Sequence, residues 1–208
     1  MDHEAERAAL VTAYRALKDE GLIVGRAGNV SLRVADGLLI TPSAVRAERM
    51  QPHDVASVPF EGSARGRPSS EWRFHRDLLA ARADLCAVVH THSVNATALA
   101  VLRRPIPASH YMVAMAGGHE VPLAPYATFG TEALSAAIVA TLHTVDACLL
   151  ANHGVVAAGA TLEVALDLAR EVELLATIHR AALAVGDPVV LPPEEMDRVL
   201  AAFRDYGR

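Results

Sequence analysis

The pattern of apolar residues in this 208-residue chain predicts an α/β protein with three layers, α/β/α, around a central mixed, largely antiparallel sheet. Two observations carry the prediction. Apolar runs of strand character alternate with stretches whose apolar residues recur at helical spacing. Several strand runs also come in pairs joined by short turns, which build hairpins rather than parallel crossovers. No internal repeat, low-complexity tract or linker interrupts the pattern, so residues 1–208 are expected to form one domain.

The elements follow in order. Residues 3–20 carry Leu, Val and Tyr at helical spacing and stop at Gly21, a first helix with a glycine at its C-terminus. "GNVSLRVADGLLITPS" alternates around Asp36-Gly37 and predicts a hairpin, because Asp-Gly favours a turn with positive φ. "EWRFHRDLLAARAD" reads as a helix of roughly three turns starting near Ser70. "LCAVVH" is a buried strand and "SVNATALAVLRR" the helix after it. Residues 105–130 are rich in Pro and Gly, and strand and loop are expected there rather than helix. "TEALSAAIVATLH" is a helix capped by Thr131, "ACLLANHG" and "VVAAG" a second hairpin, and "TLEVALDLAREVELLATIHRAALAVG" the longest helix. "PPEEMDRVLAAFRDYG" closes the chain as a helix with proline in its first turn.

Composition narrows the class of function. With 52% hydrophobic residues the chain can bury a core without disulfides. A formal charge of -5 and a pI near 6.0, with no basic stripe, argue against nucleic acid as a partner. Cys86 and Cys148 each lie in an apolar run without CxxC spacing and read as buried thiols. The charged start "MDHEAERAAL" lacks a signal-peptide core, and no run approaches the ~20 apolar residues of a membrane span. The expectation is a soluble cytoplasmic protein with no membrane partner.

The chemistry lies in the histidines. "VVHTHS" ends an apolar strand in His90 and His92, and residues two apart fall on one side of an extended backbone. "CLLANHG" ends a second strand in His153 just before a glycine. If the two strands are neighbours, three imidazoles converge, and three histidines leave one position of a tetrahedral zinc site open for chemistry. A competing pair is Glu71 with His75, four residues apart on one helix face. His3, His53, His143 and His179 read as ordinary solvated or hydrogen-bonded side chains.

Glu71 follows "PSS" at a helix start, where it either complements the helix dipole or serves as acid/base or fourth ligand beside a metal. Ser69 and Ser70 bring hydroxyls and N–H groups to the same helix N-terminus, a place suited to an anion. Two small-residue turns, "AGN" (27–29) and "TPSA" (41–44), carry further donors. Taken with the histidines, they suggest a small phosphorylated substrate.

"AGNVSLR", "GLLITPSA", "PSSEWRFH", "AVVHTHS", "IPASHYMVAMAGG", "PYATFGTEALS", "ANHG" and "AREVELLA" occur in this order. Together they resemble the class II aldolase/adducin-type family over nearly the whole chain, most closely its L-fuculose-1-phosphate aldolases. The resemblance implies the fold of that family and a Zn²⁺ site, one ion per subunit, held by His90, His92 and His153, with other divalent metals possible. Glu71 would be the acid/base and would also ligate the metal when no substrate is bound. Gly28, Asn29, Ser43, Ala44, Ser69 and Ser70 would line the phosphate pocket. Tyr111 would be a proton donor supplied to a neighbouring subunit's site, and Tyr206 a second catalytic tyrosine, in a homotetramer with active sites between subunits.

The implied reaction is reversible cleavage of a ketose 1-phosphate to dihydroxyacetone phosphate and an aldehyde such as lactaldehyde, through a metal-stabilised enediolate. Glu71 would exchange a proton with the C4 hydroxyl or with C3, and Tyr111 would protonate the aldehyde oxygen in synthesis. A Schiff-base route lacks its amine, since Lys18, in the first helix, is the one lysine. Alternatives are a 5-deoxyribulose or methylthioribulose 1-phosphate aldolase, a dehydratase on the latter, a ribulose-5-phosphate 4-epimerase, or a non-enzymatic adducin-like module. The epimerases typically carry Asp where Glu71 stands, and the module would have lost the metal site. Departures from the family pattern are Ala44 in place of glycine, Arg26 in place of a small hydroxyl, His119 in place of another polar residue, and a short tail after Tyr206.

Overall fold

The computed structural model describes residues 2–206, with side chains through Arg204. Helix α1 spans Glu4–Asp19, followed by β1 (Asn29–Val34), β2 (Gly37–Ile40) and β3 (Ala56–Pro59). Then come α2 (Trp72–Ala81), β4 (Ala87–Thr91), α3 (Val94–Val101), and the short strands β5 (Ile106–Pro107), β6 (Glu120–Val121) and β7 (Leu123–Ala124). The chain continues through α4 (Glu132–Thr141), β8 (Ala147–Leu150), β9 (Gly154–Gly159), α5 (Leu162–Leu183) and α6 (Pro193–Tyr206).

Seven strands form the main sheet in the order β3-β2-β1-β4-β9-β8-β7. Every pairing in it is antiparallel except β7 with β8. The sheet is mixed and largely antiparallel, as the paired strand runs imply.

Alternation along the strands divides the core in two. On β4, Ala87 and Val89 join one cluster with Leu10 and Leu17 of α1, Leu99 of α3, and Val172 and Leu175 of α5. Val88, between them, joins Phe74, Leu78 and Leu79 of α2 and Leu134 and Ile138 of α4 in the other. Each face of the sheet is thus sealed by its own helical layer, and each fully buried Leu or Phe contributes roughly 1.5–3 kcal/mol. The even-numbered face of β4, turned toward α2, also carries His90, and His92 follows one residue past the strand's end.

Capping follows the sequence closely. Thr131 and Thr161 accept hydrogen bonds from the N–H groups of Leu134 and Val164 at the starts of α4 and α5.

Three local expectations need correcting. The first hairpin exists, but Val34 pairs with Gly37, so the turn is Ala35-Asp36, and none of Ala35, Asp36 and Gly37 has positive φ. Gly37 is needed for close approach instead, because a Cβ there would sit 2.2 Å from the Val58 carbonyl oxygen of β3. Within 105–130, Tyr111–Ala116 forms a 3-10 helix, with His110 accepting from the Met112 N–H. Cys148 is buried, but Cys86 is only half-buried, and both thiols are free.

Candidate metal centre and substrate cavity

The central pair of the sheet, β4 and β9, assembles the histidines. His90 and His92 project from the end of β4 toward α2, two residues apart on one face. His153 lies in the tight β8–β9 turn, which Asn152 makes possible by adopting φ 55, a conformation Asn tolerates better than most residues. Gly154 then lets β9 close on β4, since a Cβ there would lie 2.3 Å from the Thr91 carbonyl oxygen and 2.9 Å from the His92 ring.

The result is three imidazoles whose ligating nitrogens lie within 4.8 Å of one another. Glu71, immediately before α2, brings its carboxylate to 3.3 Å from His90 Nε2 and 3.4 Å from His153 Nε2. The competing Glu71–His75 pair is overturned. Both ring nitrogens of His75 are engaged elsewhere, Nδ1 with Ser31 Oγ at 2.7 Å and Nε2 with Asn29 Oδ1, and the residue is fully buried.

The donor set fits a divalent cation on its own chemistry. His90 donates Nδ1–H to the Val155 carbonyl at 2.8 Å, so its lone pair is on Nε2, aimed at His92 Nε2 only 3.0 Å away. A neighbouring N–H fixed by a backbone carbonyl is the usual support for a ligating imidazole. Glu71 Oε1 is buried without a hydrogen-bond partner, an expensive state for a carboxylate oxygen unless a cation faces it. Three nitrogens and one oxygen at one point suit zinc or a similar metal.

Electrostatics agree. Burial pushes Glu71 up, but His90, His153 and the Asn29 amide outweigh it and hold the carboxyl well below the usual range. His92 and His153 are pushed down to about 4, by burial first and then by His90. Burial opposes protonation of His90, yet Glu71 more than offsets it and raises that group. Two imidazoles are thereby held neutral, the form that binds metal.

Beside this cluster opens a cavity of about 330 Å³. Its wall includes Gly28, Asn29, Ser43, Ala44, Ser69, Ser70 and Glu71, together with His92 and His153. All six residues expected around a phosphate thus lie at one site, next to the histidines. The Asn29 side chain is only partly free, because Nδ2 donates to Glu71 Oε2 at 3.0 Å and its oxygen faces His75. Ala44 adopts φ 64, which explains why glycine suits that position better.

A sequence profile described as "Class II Aldolase and Adducin N-terminal domain" matches residues 8–180. The chain belongs to this family. Its relatives include the 5-methylthioribulose-1-phosphate/5-deoxyribulose-1-phosphate aldolase of Rhodospirillum rubrum, 51% identical over 98% of this chain and 93% of that one. The L-fuculose phosphate aldolase of Escherichia coli K12 is 48% identical over 90% of this chain and 88% of its own length. Among solved structures, an L-fuculose 1-phosphate aldolase superposes with a TM-score of 0.92 at 36% identity, covering 95% of both chains. The protein is therefore a class II aldolase, an aldehyde-lyase.

Other members of the class II aldolase site stand apart or were missed. Tyr111 is half exposed and does not line the cavity of its own chain, and its ring stacks on Phe203 of α6 at 6.4 Å. The Tyr206 side chain lies outside the described residues. Tyr126, Phe129 and Asn152 line the cavity although the residue types gave them no role. Exposed aromatics in the Pro/Gly-rich "PYATFG" were the available signal. Lys18 is on α1, ion-paired with Glu48 at 3.2 Å, and is not among the cavity residues. His119 pairs with Asp197 at 2.9 Å on the surface.

Proposed function

We propose that the protein is a zinc-dependent aldolase, one functional domain throughout, that reversibly cleaves a ketose 1-phosphate to dihydroxyacetone phosphate and a short aldehyde. The observation that carries this reading is the unpartnered Glu71 Oε1 facing a convergent three-histidine cluster at the wall of a hydroxyl-lined cavity. His90, His92 and His153 would hold the ion, which when bound supplies Lewis-acid polarisation of substrate oxygens.

The remaining roles fall to the chain's own groups. Ser43, Ser69, Ser70 and the N–H groups around Gly28 and Ala44 would bind the phosphate and so register C3 and C4 of the sugar against Glu71. On cleavage the C3–C4 bond breaks, its electron pair stays with C3, and the C4 hydroxyl becomes the aldehyde carbonyl. Microscopic reversibility separates two roles that the residue types alone left shared. The group that protonates the aldehyde oxygen in synthesis must take the C4 hydroxyl proton in cleavage. That proton therefore goes to Tyr111, and Glu71 delivers one to C3. Because Tyr111 is exposed and absent from its own cavity, it would act in a neighbouring subunit of a homotetramer, with Tyr206 beside it. A cytoplasmic setting accords with two free thiols, and no described helix is long and apolar enough to cross a membrane.

Tyr126 and Phe129, exposed at the cavity, suit an aldehyde fragment ending in an apolar group. L-fuculose 1-phosphate, releasing lactaldehyde, meets that condition. So do 5-deoxyribulose and 5-methylthioribulose 1-phosphates, and the 51% identity to the R. rubrum enzyme over 98% of the chain favours this second reading.

The test is a panel of ketose 1-phosphates scored by a coupled assay for dihydroxyacetone phosphate, after chelation and again after zinc add-back. Release that stops and returns with zinc is expected. Full turnover in verified metal-free protein would end the metal reading, and epimerisation or water loss without dihydroxyacetone phosphate would end the aldolase assignment.

A further inference from the structure

The fully buried His75 is left unused by the chemistry above, yet it belongs to a continuous hydrogen-bonded chain. Ser31 Oγ lies 2.7 Å from His75 Nδ1, His75 Nε2 meets Asn29 Oδ1, and Asn29 Nδ2 donates to Glu71 Oε2 at 3.0 Å. Ser31 and His75 are fully buried, and Asn29 is nearly so.

The chain arises from two matched periodicities. Asn29 and Ser31 are two apart on β1 and so share the face turned to α2. Glu71 and His75 are four apart and share one face of the turn that opens α2. The two spacings bring strand and helix together as Asn29 with Glu71 and Ser31 with His75.

Its direction follows from what each group can donate. Glu71 is ionised and accepts only, so Asn29 must turn its NH₂ toward the carboxylate and its oxygen toward His75. The Asn29 oxygen then requires a donor, which makes His75 the Nε2–H tautomer. The bare Nδ1 in turn requires the Ser31 hydroxyl proton. Burial supports a neutral ring, pushing His75 down to about 3, with His90 adding to the effect. An amide can rotate by half a turn at little steric cost. Without His75, the buried Asn29 oxygen loses its donor, and the single Nδ2–Oε2 hydrogen bond to Glu71 is left to hold the amide.

We propose that His75 is a positioning residue for the aldol reaction, with the Ser31 hydroxyl donating to its Nδ1: it holds the Asn29 amide so that an N–H meets Glu71 Oε2. Glu71 Oε1 is thereby left as the one oxygen free for the metal and the substrate proton. The inference deepens the acid/base reading of Glu71 and rests on it.

Two measurements on zinc-loaded protein test it. Imidazole ¹H–¹⁵N spectra should show His75 with protonated Nε2 and bare Nδ1 at neutral pH, and an Nδ1–H tautomer would overturn the proposal. Kinetically, His75→Leu should lower kcat about 10–100-fold with zinc content and KM within about two-fold. His75→Gln, whose amide can donate from the Nε2 position, should recover most of the loss. A His75→Leu enzyme with full zinc and wild-type kcat would also overturn it. If the Leu variant does not fold, the tautomer decides alone. A separate Glu71→Gln measurement keeps the two readings distinct, since unchanged turnover there would remove the acid/base role while the His75 tautomer stayed as observed.

Discussion

The histidine pocket and the groove around Tyr111 both carry aromatic rings, yet on the proposed reading one is complete within the chain and the other is not. In the pocket, His90, His92 and His153 lie with ring centroids 4.8–5.0 Å apart, and Glu71 and a backbone carbonyl lock the arrangement. In the groove, Tyr111, Met112, Val199, Ala202 and Phe203 form an apolar surface in which the half-exposed Tyr111 ring stacks on Phe203. The difference teaches how the work divides. On that reading, one chain would supply the ligands and the carboxylate, and the hydroxyl donor would reach a site only by association of subunits.

The largest effect should come from damaging the complete half. His92→Ala or His153→Ala should abolish stoichiometric zinc binding and lower turnover by at least about 10³-fold, read by metal analysis and the coupled assay. Retained zinc and activity would mean that the cluster is not the metal centre. Next, Glu71→Gln should keep its zinc but lose about 10²–10⁴-fold in kcat. Loss of zinc together with activity would make Glu71 a ligand first and a proton carrier second.

The incomplete half offers a sharper break. Tyr111→Phe should cost about 10²-fold in kcat and leave zinc bound. Dissociating and reassociating it with the Glu71→Gln variant should regain a measurable share of activity, because some sites would then combine an intact Glu71 with a neighbour's intact Tyr111. No regain on mixing would place the tyrosine in its own chain's site or outside the chemistry.

A smaller effect concerns stability of the metal-free protein. His75, His92 and His153 are held neutral in the fold at pH values where the unfolded chain protonates them near 6.5. Their contribution is complete above that value and is lost as pH falls toward about 4. The slope is about 1.4 kcal/mol per pH unit for each group, and His90, raised by Glu71, is protonated in both states below 6.5 and does not offset it. Urea midpoints of apoprotein should therefore fall between pH 6.5 and 5, and a flat profile would contradict the neutral assignments. Smallest of all, Ala44→Gly should relieve a left-handed alanine and raise stability by less than about 1 kcal/mol, read as a rise in Tm with KM nearly unchanged.

Much of the site was legible because its residues sit at element ends with regular spacing. His90 and His92 had to share a face once β4 was extended, and His153 had to join them once β8 and β9 formed a hairpin beside it. His75 shows where such reading stops. Its spacing from Glu71 was recognised, but ligand and support look identical until β1 supplies Asn29 and Ser31 as partners. Tyr126 and Phe129 were equally opaque, because irregular loops have no periodicity from which a direction can be inferred.

The linear pattern by itself determined the layers, the largely antiparallel character of the sheet, the shared face of His90 and His92 and the missing Schiff-base amine, since each depends on local periodicity or residue type. Only the tertiary structure decided that His75 turns away from the cluster, that Gly37 serves a close contact rather than a turn, and that Tyr111 lies outside its own cavity. Those outcomes depend on which elements pack against each other and in what register, and register is a property of facing surfaces, not of any one segment.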